Sequence, residues 1–171
     1  LLTATIRADA SSKLPENDRW GQFESFALAW NVHNVDTGLE DYFDEFKIRL
    51  GYGEVGNVNG LGDYNFLTRY QSSTNAGQYG FGNSFYQTYR PSPINKNLRW
   101  EVGTTFNAGI DFALKGTDLN GSVNAYIKET NDLIATEVID HFTNFGTTID
   151  ANFGDMENKG VYLELSGTAY N

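Results

Sequence analysis

From Trp100 to Leu114 the chain alternates without interruption. Even positions carry Trp100, Val102, Thr104, Phe106, Ala108, Ile110, Phe112 and Leu114, and the odd positions between them are mostly polar or glycine. A period of two suits a two-faced strand and not a helix. After the polar break Lys115-Gly116-Thr117-Asp118 the pattern resumes, with Leu119, Gly121, Val123, Ala125 and Ile127 facing one way and Asn120, Ser122, Asn124, Tyr126 and Lys128 the other. The spacing predicts an antiparallel hairpin of two strands. Both exceed the ~5–6 residues usual in soluble sheets and reach the ~9–11 that cross a bilayer at a tilt.

The same alternation predicts strands over 1–9, from near Trp20 to Val32, from Phe46 to Gly53, and from Met156 to Ala169. Ala10 to Arg19 reads as a polar loop. Residues 33–45 read as an acidic connector with a helical turn over about Leu39–Phe43, Thr37 being a candidate N-cap. Residues 54–97 are rich in Gly, Asn, Ser and Tyr, with weaker strand signals at Tyr64–Tyr70 and Phe85–Tyr89 and a stop at Pro91 and Pro93. Asn131 to Asp150 is a second long connector, whose Phe142, Phe145 and Gly146 are expected to fold back as an arm. If the long strands run alternately up and down, the longest loops fall at one end, the asymmetry of an outer-membrane barrel.

Composition narrows the classes. Ten Tyr, 12 Phe and 18 Gly against only 3 Pro fit β structure with many turns. The absence of Cys removes disulfide and thiolate-metal chemistry, and the net charge of −10 disfavours a nucleic-acid surface. No signal peptide and no run of ~18 apolar residues is present, which leaves a membrane barrel open. The chain opens inside one strand pattern and closes just after another, so a segment of a longer protein is expected.

No catalytic site, cofactor site or metal site is expected. His33 and His141 stand far apart in connectors, Ser84 sits in turn-like Gly82-Asn83-Ser84, and no H-E-x-x-H or G-x-S-x-G spacing occurs. The acidic run Asp36, Glu40, Asp41, Asp44 and Glu45 lacks EF-hand spacing and reads as a solvated face, and Asp150, Asp155 and Glu157 form no ligand pattern. Arg7, Asp9, Lys47, Arg49, Glu101, Asp111, Lys128 and Glu164 all oppose the apolar stripe. They would face water in a soluble sheet, or the lumen in a barrel. Trp30, Tyr52 and Trp100 are placed near strand ends, where aromatic girdles occur. The contact candidates are Tyr64, Arg69, Tyr70, Tyr79, Phe81, Phe85, Tyr86, Tyr89 and Arg90. Their aromatic rings alternate with Asn, Gln and Ser, which suits stacking on a sugar and bonding its hydroxyls, or packing on a partner.

Several motifs together resemble the barrel of the SusC/RagA family of TonB-linked outer-membrane transporters. They are Thr3 through Lys13, Arg19-Trp20-Gly21, Ser25 through Trp30, Ile48 through Asn57, Asn97 through Glu101, Leu119 through Val123, Tyr126 through Leu133, and Met156 through Val161. Their order and spacing agree over nearly the whole chain. Ala10 stands where members more often have Gly, and Glu24 where a Pro is common before the serine, which touches loop and strand-entry geometry only. The resemblance implies an all-β fold: an antiparallel transmembrane β-barrel segment, about six long strands of a barrel of about 22, with extracellular loops at 54–97 and 131–150. It implies import of glycans, oligosaccharides or peptides under a SusD-like lipoprotein lid, driven by TonB through a plug domain outside this stretch. It also implies a polar face toward the lumen, an apolar face toward outer-membrane lipid, and a periplasmic turn at 115–118. A secreted β-sandwich carbohydrate-binding module and a purely structural or adhesive β-protein are the competing readings.

Overall fold

The computed structural model describes residues 1–32, 38–74 and 77–168. Six long strands form one antiparallel sheet: β1 (Leu2–Ala10), β2 (Trp20–Asn31), β3 (Phe43–Asn57), β8 (Glu101–Leu114), β9 (Asn120–Asn131) and β12 (Met156–Ser166). The spatial order β1-β2-β3-β8-β9-β12 is a simple meander. Between β3 and β8 lie four short strands, β4 (Tyr70–Ser72), β5 (Tyr79–Phe81), β6 (Ser84–Tyr86) and β7 (Tyr89–Pro91). Between β9 and β12 lie β10 (Ile134–Val138) and β11 (Thr148–Asn152). The meander places the connections after β1, β3 and β9 at one end. The connection from β2 to β3 and the tight β8–β9 turn lie at the other, where Lys115 donates its backbone N–H to Tyr42 and its Nζ to the Glu40 carbonyl.

Register keeps the two faces separate across the whole sheet. Leu28 pairs with Leu50, Leu50 with Ala108, Ala108 with Ala125 and Ala125 with Val161. One step away Phe26, Tyr52 and Phe106 stand in a row, their ring centroids 6.2 and 4.8 Å apart. Among the described residues nothing packs on this face: Leu2, Ile6, Phe26, Trp30, Leu50, Phe106, Val161 and Leu163 are all exposed. A β-sandwich would bury such a stripe against a second sheet, and among the described residues the only other sheets are three two-stranded hairpins.

The buried core sits instead at the loop end. Leu14, Leu61 and Leu98 are fully or nearly fully buried together, with Val58, Phe66, Trp100 and Ile134 around them. The loop Ala10 to Arg19 is therefore an anchor as well as a polar connector: Leu14 plugs into the cluster while Lys13 Nζ donates to the Leu61 carbonyl at 2.9 Å. Beside it the β2–β3 ladder is recorded only up to Ser25↔Gly53. Beyond that point the buried Phe23 ring lies against Trp100, edge-on at 5.5 Å. The ring occupies space that Gly56 leaves free: a Cβ there would stand 2.1 Å from Phe23 Cζ and 2.7 Å from a Trp100 ring carbon.

Several expected elements differ in extent. The third long strand runs from Phe43 and not Phe46, and on to Asn57, because β8 offers a ladder along that whole length with one irregularity at Phe43/Glu45. The turn expected at Leu39–Phe43 is a 3-10 turn at Leu39–Asp41 that follows Gly38. The N-cap candidate Thr37, together with His33 and Asp36, lies outside the described residues. Tyr64–Tyr70 is a series of turns and not a strand, with Tyr64 at φ 58° and pairing beginning only at Tyr70. The strand expected at Phe85–Tyr89 is two strands in two different hairpins. The last long strand stops at Ser166, and Ala169 lies outside the described residues. Tyr52 is interior to its strand, and Trp100 belongs to the loop-end core.

The packing at Gly56 yields a stability test. Overpacking there is expected to cost ~1–3 kcal/mol, so Gly56→Val in the full-length protein should lower the denaturation midpoint. Gly53→Ala, whose added Cβ meets only the Ser25 Cβ at 3.7 Å, should leave it nearly unchanged. Chemical denaturation in detergent micelles checks the pair.

Candidate functional site

Two arms rise from the loop end of the sheet. In the first, β4 pairs with β7 through Tyr70↔Pro91, Gln71↔Arg90 and Ser72↔Tyr89. Further out β5 pairs with β6 through Tyr79↔Tyr86, Gly80↔Phe85 and Phe81↔Ser84. The outer turn is Gly82-Asn83, with Gly82 at φ 62°, the positive φ that the first position of a tight II′ hairpin turn requires. The second arm is the β10–β11 hairpin. Its tip is ordered by Asp140, whose carboxylate accepts from the Phe142 N–H at 3.0 Å and the Thr143 hydroxyl at 3.1 Å. The arm expected from Phe142 and Phe145 is thus a regular hairpin, and it presents both rings to solvent, Phe142 at 86% exposure.

The candidate contact residues divide by position. Tyr70 and Tyr89 share one side of the inner hairpin; Tyr79, Phe81 and Tyr86 share one side of the outer hairpin; Phe85 lies on the opposite side against Gly80. These six rings and Tyr64 are exposed. Arg90 stands across from Gln71, its Nε buried with no hydrogen-bond partner among the described residues. Arg69 leaves the aromatic group and turns to the base of the arm, where its Nη2 donates to Asn65 Oδ1 at 2.8 Å.

That base contains a polar cleft between the arms, about 200 Å3, lined by Asn65, Leu67, Arg69 and Asn95 from one and Ile149 and Asp150 from the other. Asp150 joins the two sides. Its carboxylate accepts from Asn65 Nδ2 at 2.6 Å and from the Thr136 hydroxyl at 3.0 Å, and its carbonyl accepts from Asn95 Nδ2 at 3.3 Å. Two residues on, Asn152 binds a peptide unit as a strand would: its Oδ1 accepts from the Arg99 N–H and its Nδ2 donates to the Arg99 carbonyl, both at 2.9 Å. The same Nδ2 reaches the Asp132 carbonyl at 2.8 Å. Asp132 itself takes φ 58° and forms an ion pair with Arg99. The Arg99 hydrogen bond, opposed by desolvation, holds the Asp132 carboxyl below the usual carboxylate range; the same bond raises Arg99. Asn65, Asn95 and Asn152 were not singled out by sequence reasoning, and Asp150 was set aside for want of a ligand pattern. The available signal was the placement of Asp150 and Asn152 in the alternating run Thr148–Asn152.

Long two-faced strands, an uncovered apolar face and large loops at one end match a known family along the full chain. The family model described as TonB dependent receptor-like, beta-barrel covers residues 1–171. This chain belongs to the TonB-dependent receptor β-barrel family. It is 36% identical over 97% of its length to TonB-dependent receptor SusC of Bacteroides thetaiotaomicron, covering 17% of that protein. It is 34% identical over 97% of its length to TonB-dependent receptor P39 of Formosa agariphila, covering 15% of it. The chain therefore spans about a sixth of the length of these relatives. Among solved structures it superposes on a chain of the RagAB peptide importer in the open-open state with a TM-score of 0.80, at 24% identity, over 99% of this chain and 18% of the other, a likeness of fold. The SusC/RagA resemblance is borne out, and the TonB-dependent receptor barrel is an outer-membrane structure.

The Arg99–Asp132 pair gives the base of the second arm a pH dependence. A carboxylate depressed by folding adds stability above its unfolded pKa of ~3.9, and that contribution is lost as pH falls through the folded value. Both groups are substantially exposed, so the contribution is under about 1 kcal/mol. Amide exchange in residues 134–152, corrected for intrinsic rates, should accelerate below about pH 4 in the native protein. Asp132→Asn, which keeps a residue tolerant of positive φ, should show faster exchange at neutral pH and little further change on acidification.

Proposed function

We propose that this chain is the wall and part of the substrate mouth of an energy-coupled nutrient importer in the outer membrane. The observation that supports it most is the apolar face, which runs over six strands, interrupted on β12 by Lys159 paired with Glu157, and which nothing among the described residues covers. From Thr104 to Leu114, at ~3.3 Å per residue and a ~40° tilt, it gives a band roughly 25 Å tall, the height of a barrel's lipid-facing belt. On the loop side the band ends at a row of acidic residues: Glu54 and Glu129 both flank Thr104, and Glu129 pairs with Glu157. Just inside that row stand Phe26, Tyr52 and Phe106, with the Tyr52 hydroxyl donating to Glu54. An aromatic ring with its polar tip toward water is the arrangement of an interfacial girdle.

In this reading the arms at 58–100 and 132–155 are extracellular, the turn at 115–118 is periplasmic, and the polar face lines the lumen. The exposed rings Tyr64, Tyr70, Tyr79, Phe81, Phe85, Tyr86 and Tyr89, with Arg69 and Arg90, meet a glycan or peptide substrate or a SusD-like lipoprotein lid. The likeness to a chain of the RagAB peptide importer supports the peptide class, and the exposed rings interleaved with Asn, Gln and Ser support the glycan class. Energy coupling through TonB would act on a plug that is no part of these six strands.

The test is purification of the full-length protein from its own outer membrane. A lipoprotein should co-purify. Truncation of residues 69–91 to a short Gly-Ser link should reduce binding of the imported glycan or peptide at least tenfold while the barrel still assembles. Recovery of the full-length protein from the soluble periplasm, or unchanged binding after truncation, would refute the assignment.

A further inference from the structure

The polar face is constructed in an unusual way: its side chains lie along the wall and do not stand away from it. Gly51 pairs with Asn107, Gly109 with Asn124 and Gly160 with Tyr126. In each pair the polar side chain occupies the space its partner lacks. A Cβ at Gly51 would stand 2.1 Å from Asn107 Oδ1, one at Gly109 2.4 Å from Asn124 Oδ1 and 3.1 Å from Arg49 Nη2, and one at Gly160 2.8 Å from the Tyr126 ring. Arg49 crosses over Gly109 and is held down at both ends. Its Nε and Nη2 bind the two Asp111 carboxylate oxygens at 2.7 and 2.6 Å, and Nη2 also donates to Asn124 Oδ1 at 2.9 Å. Asn124 Nδ2 in turn donates to Ser122 Oγ, and the Tyr126 hydroxyl to Asn158 Oδ1. A hollow of about 230 Å3 lies above these groups, between Lys128 and Tyr162.

From this geometry we infer that the patch is a water-facing stretch of wall kept clear for a hydrated solute, and is not a seat that binds a plug. The inference rests on the reading of the polar face as the lumen. A seat for a folded domain presents unpaired donors and acceptors for its partner to satisfy. Here Arg49, Asp111, Asn124, Ser122, Tyr126 and Asn158 are bonded to one another within the sheet, and the Arg49 charge is balanced by Asp111, while Lys128 and Tyr162 stand at the rim of the hollow. Conduction past a surface requires interactions weak enough to release what they touch, and flattened, internally satisfied side chains with balanced charge meet that need. Gly51, Gly109 and Gly160 provide the room for it on three different strands.

The segment contains no cysteine, so single thiols report on it directly. In the full-length transporter, with any cysteines elsewhere replaced, Asn107→Cys and the adjacent, opposite-facing Ala108→Cys are exposed in intact cells to a small cationic methanethiosulfonate. Asn107→Cys should react within about tenfold of its rate in a plug-deleted form, while Ala108→Cys stays unreactive in both. Thr105→Cys, one row nearer the loops on the same face, repeats the measurement if Asn107→Cys fails to reach the membrane. A thiol that reacts only after plug deletion, or in neither form, overturns the inference. Equal reaction of Ala108→Cys and Asn107→Cys shows instead that the barrel-wall reading beneath it is wrong. Balanced charge is tested in the same cells. Cationic and anionic reagents should differ by less than about threefold at Asn107→Cys, and adding Asp111→Asn should shift the ratio toward the anionic reagent. A strong charge preference without that substitution also counts against the inference.

Discussion

The constraint on which the structure depends is that a sheet has two faces and that one of them here, below the acidic row at the loop end, is almost wholly apolar. The antiparallel ladders satisfy the backbone within β1, β2, β3, β8, β9 and β12, but they cover nothing above Leu28, Leu50, Ala108, Ala125 or Val161. In water so large an exposed apolar area would drive association. In a bilayer the same face is the one the solvent favours, and closed β-sheet is one of the two backbone solutions that lipid permits. The family match and the uncovered stripe are therefore two views of one fact. β1 and β12 retain open outer edges, and such edges require further strands to complete a wall.

Because the membrane takes the place of a core for the sheet, the protein's own buried core lies elsewhere. Leu14 comes from the β1–β2 connection, Leu61 and Leu98 from the two ends of the β3–β8 connection, and the three meet above the strands. Their burial fixes where the arms leave the sheet. The polar contacts of Asp150 and Asn152 then tie the second arm to the first arm's base and to the start of β8. The arms are thus positioned by a small hydrophobic cluster and a few side-chain hydrogen bonds at their base, while their outer aromatic surfaces stay free. That division suits a mouth, which needs a fixed base and an accessible contact surface.

The sheet was legible in the sequence because period-two alternation is local information. Trp100–Leu114 and Leu119–Lys128 show their faces without any neighbour, and the motif order carried the family. What escaped was set by partners distant in the chain. Nothing near Phe43 or Asn57 signals that β8 is long enough to extend β3 over both. Leu14 is one apolar residue in a polar loop, and its role depends on Leu61 and Leu98. Asp150 and Asn152 act through Asn65, Asn95 and Arg99, contacts that no spacing rule encodes. The aromatic candidates were found by composition, but their division between two hairpins depends on the Gly82-Asn83 turn and on pairing across the loop.

Glycine was the least readable residue and has the most specific consequences. In the alternation Gly51, Gly109 and Gly160 look like weak points of strands, since glycine gives a sheet neither side-chain packing nor stiffness. Their cross-strand partners supply the reason for them. Asn107, Asn124 with Arg49, and Tyr126 lie in the space those glycines leave, and only the register shows it. Gly56 does the same for Phe23 and Trp100 at the loop base. In one case the missing side chain lets aromatic rings close a core, and in the other it keeps polar groups out of the lumen. The same residue type, read against its neighbour across the strand, separates the part of the wall that must be packed from the part that must stay clear.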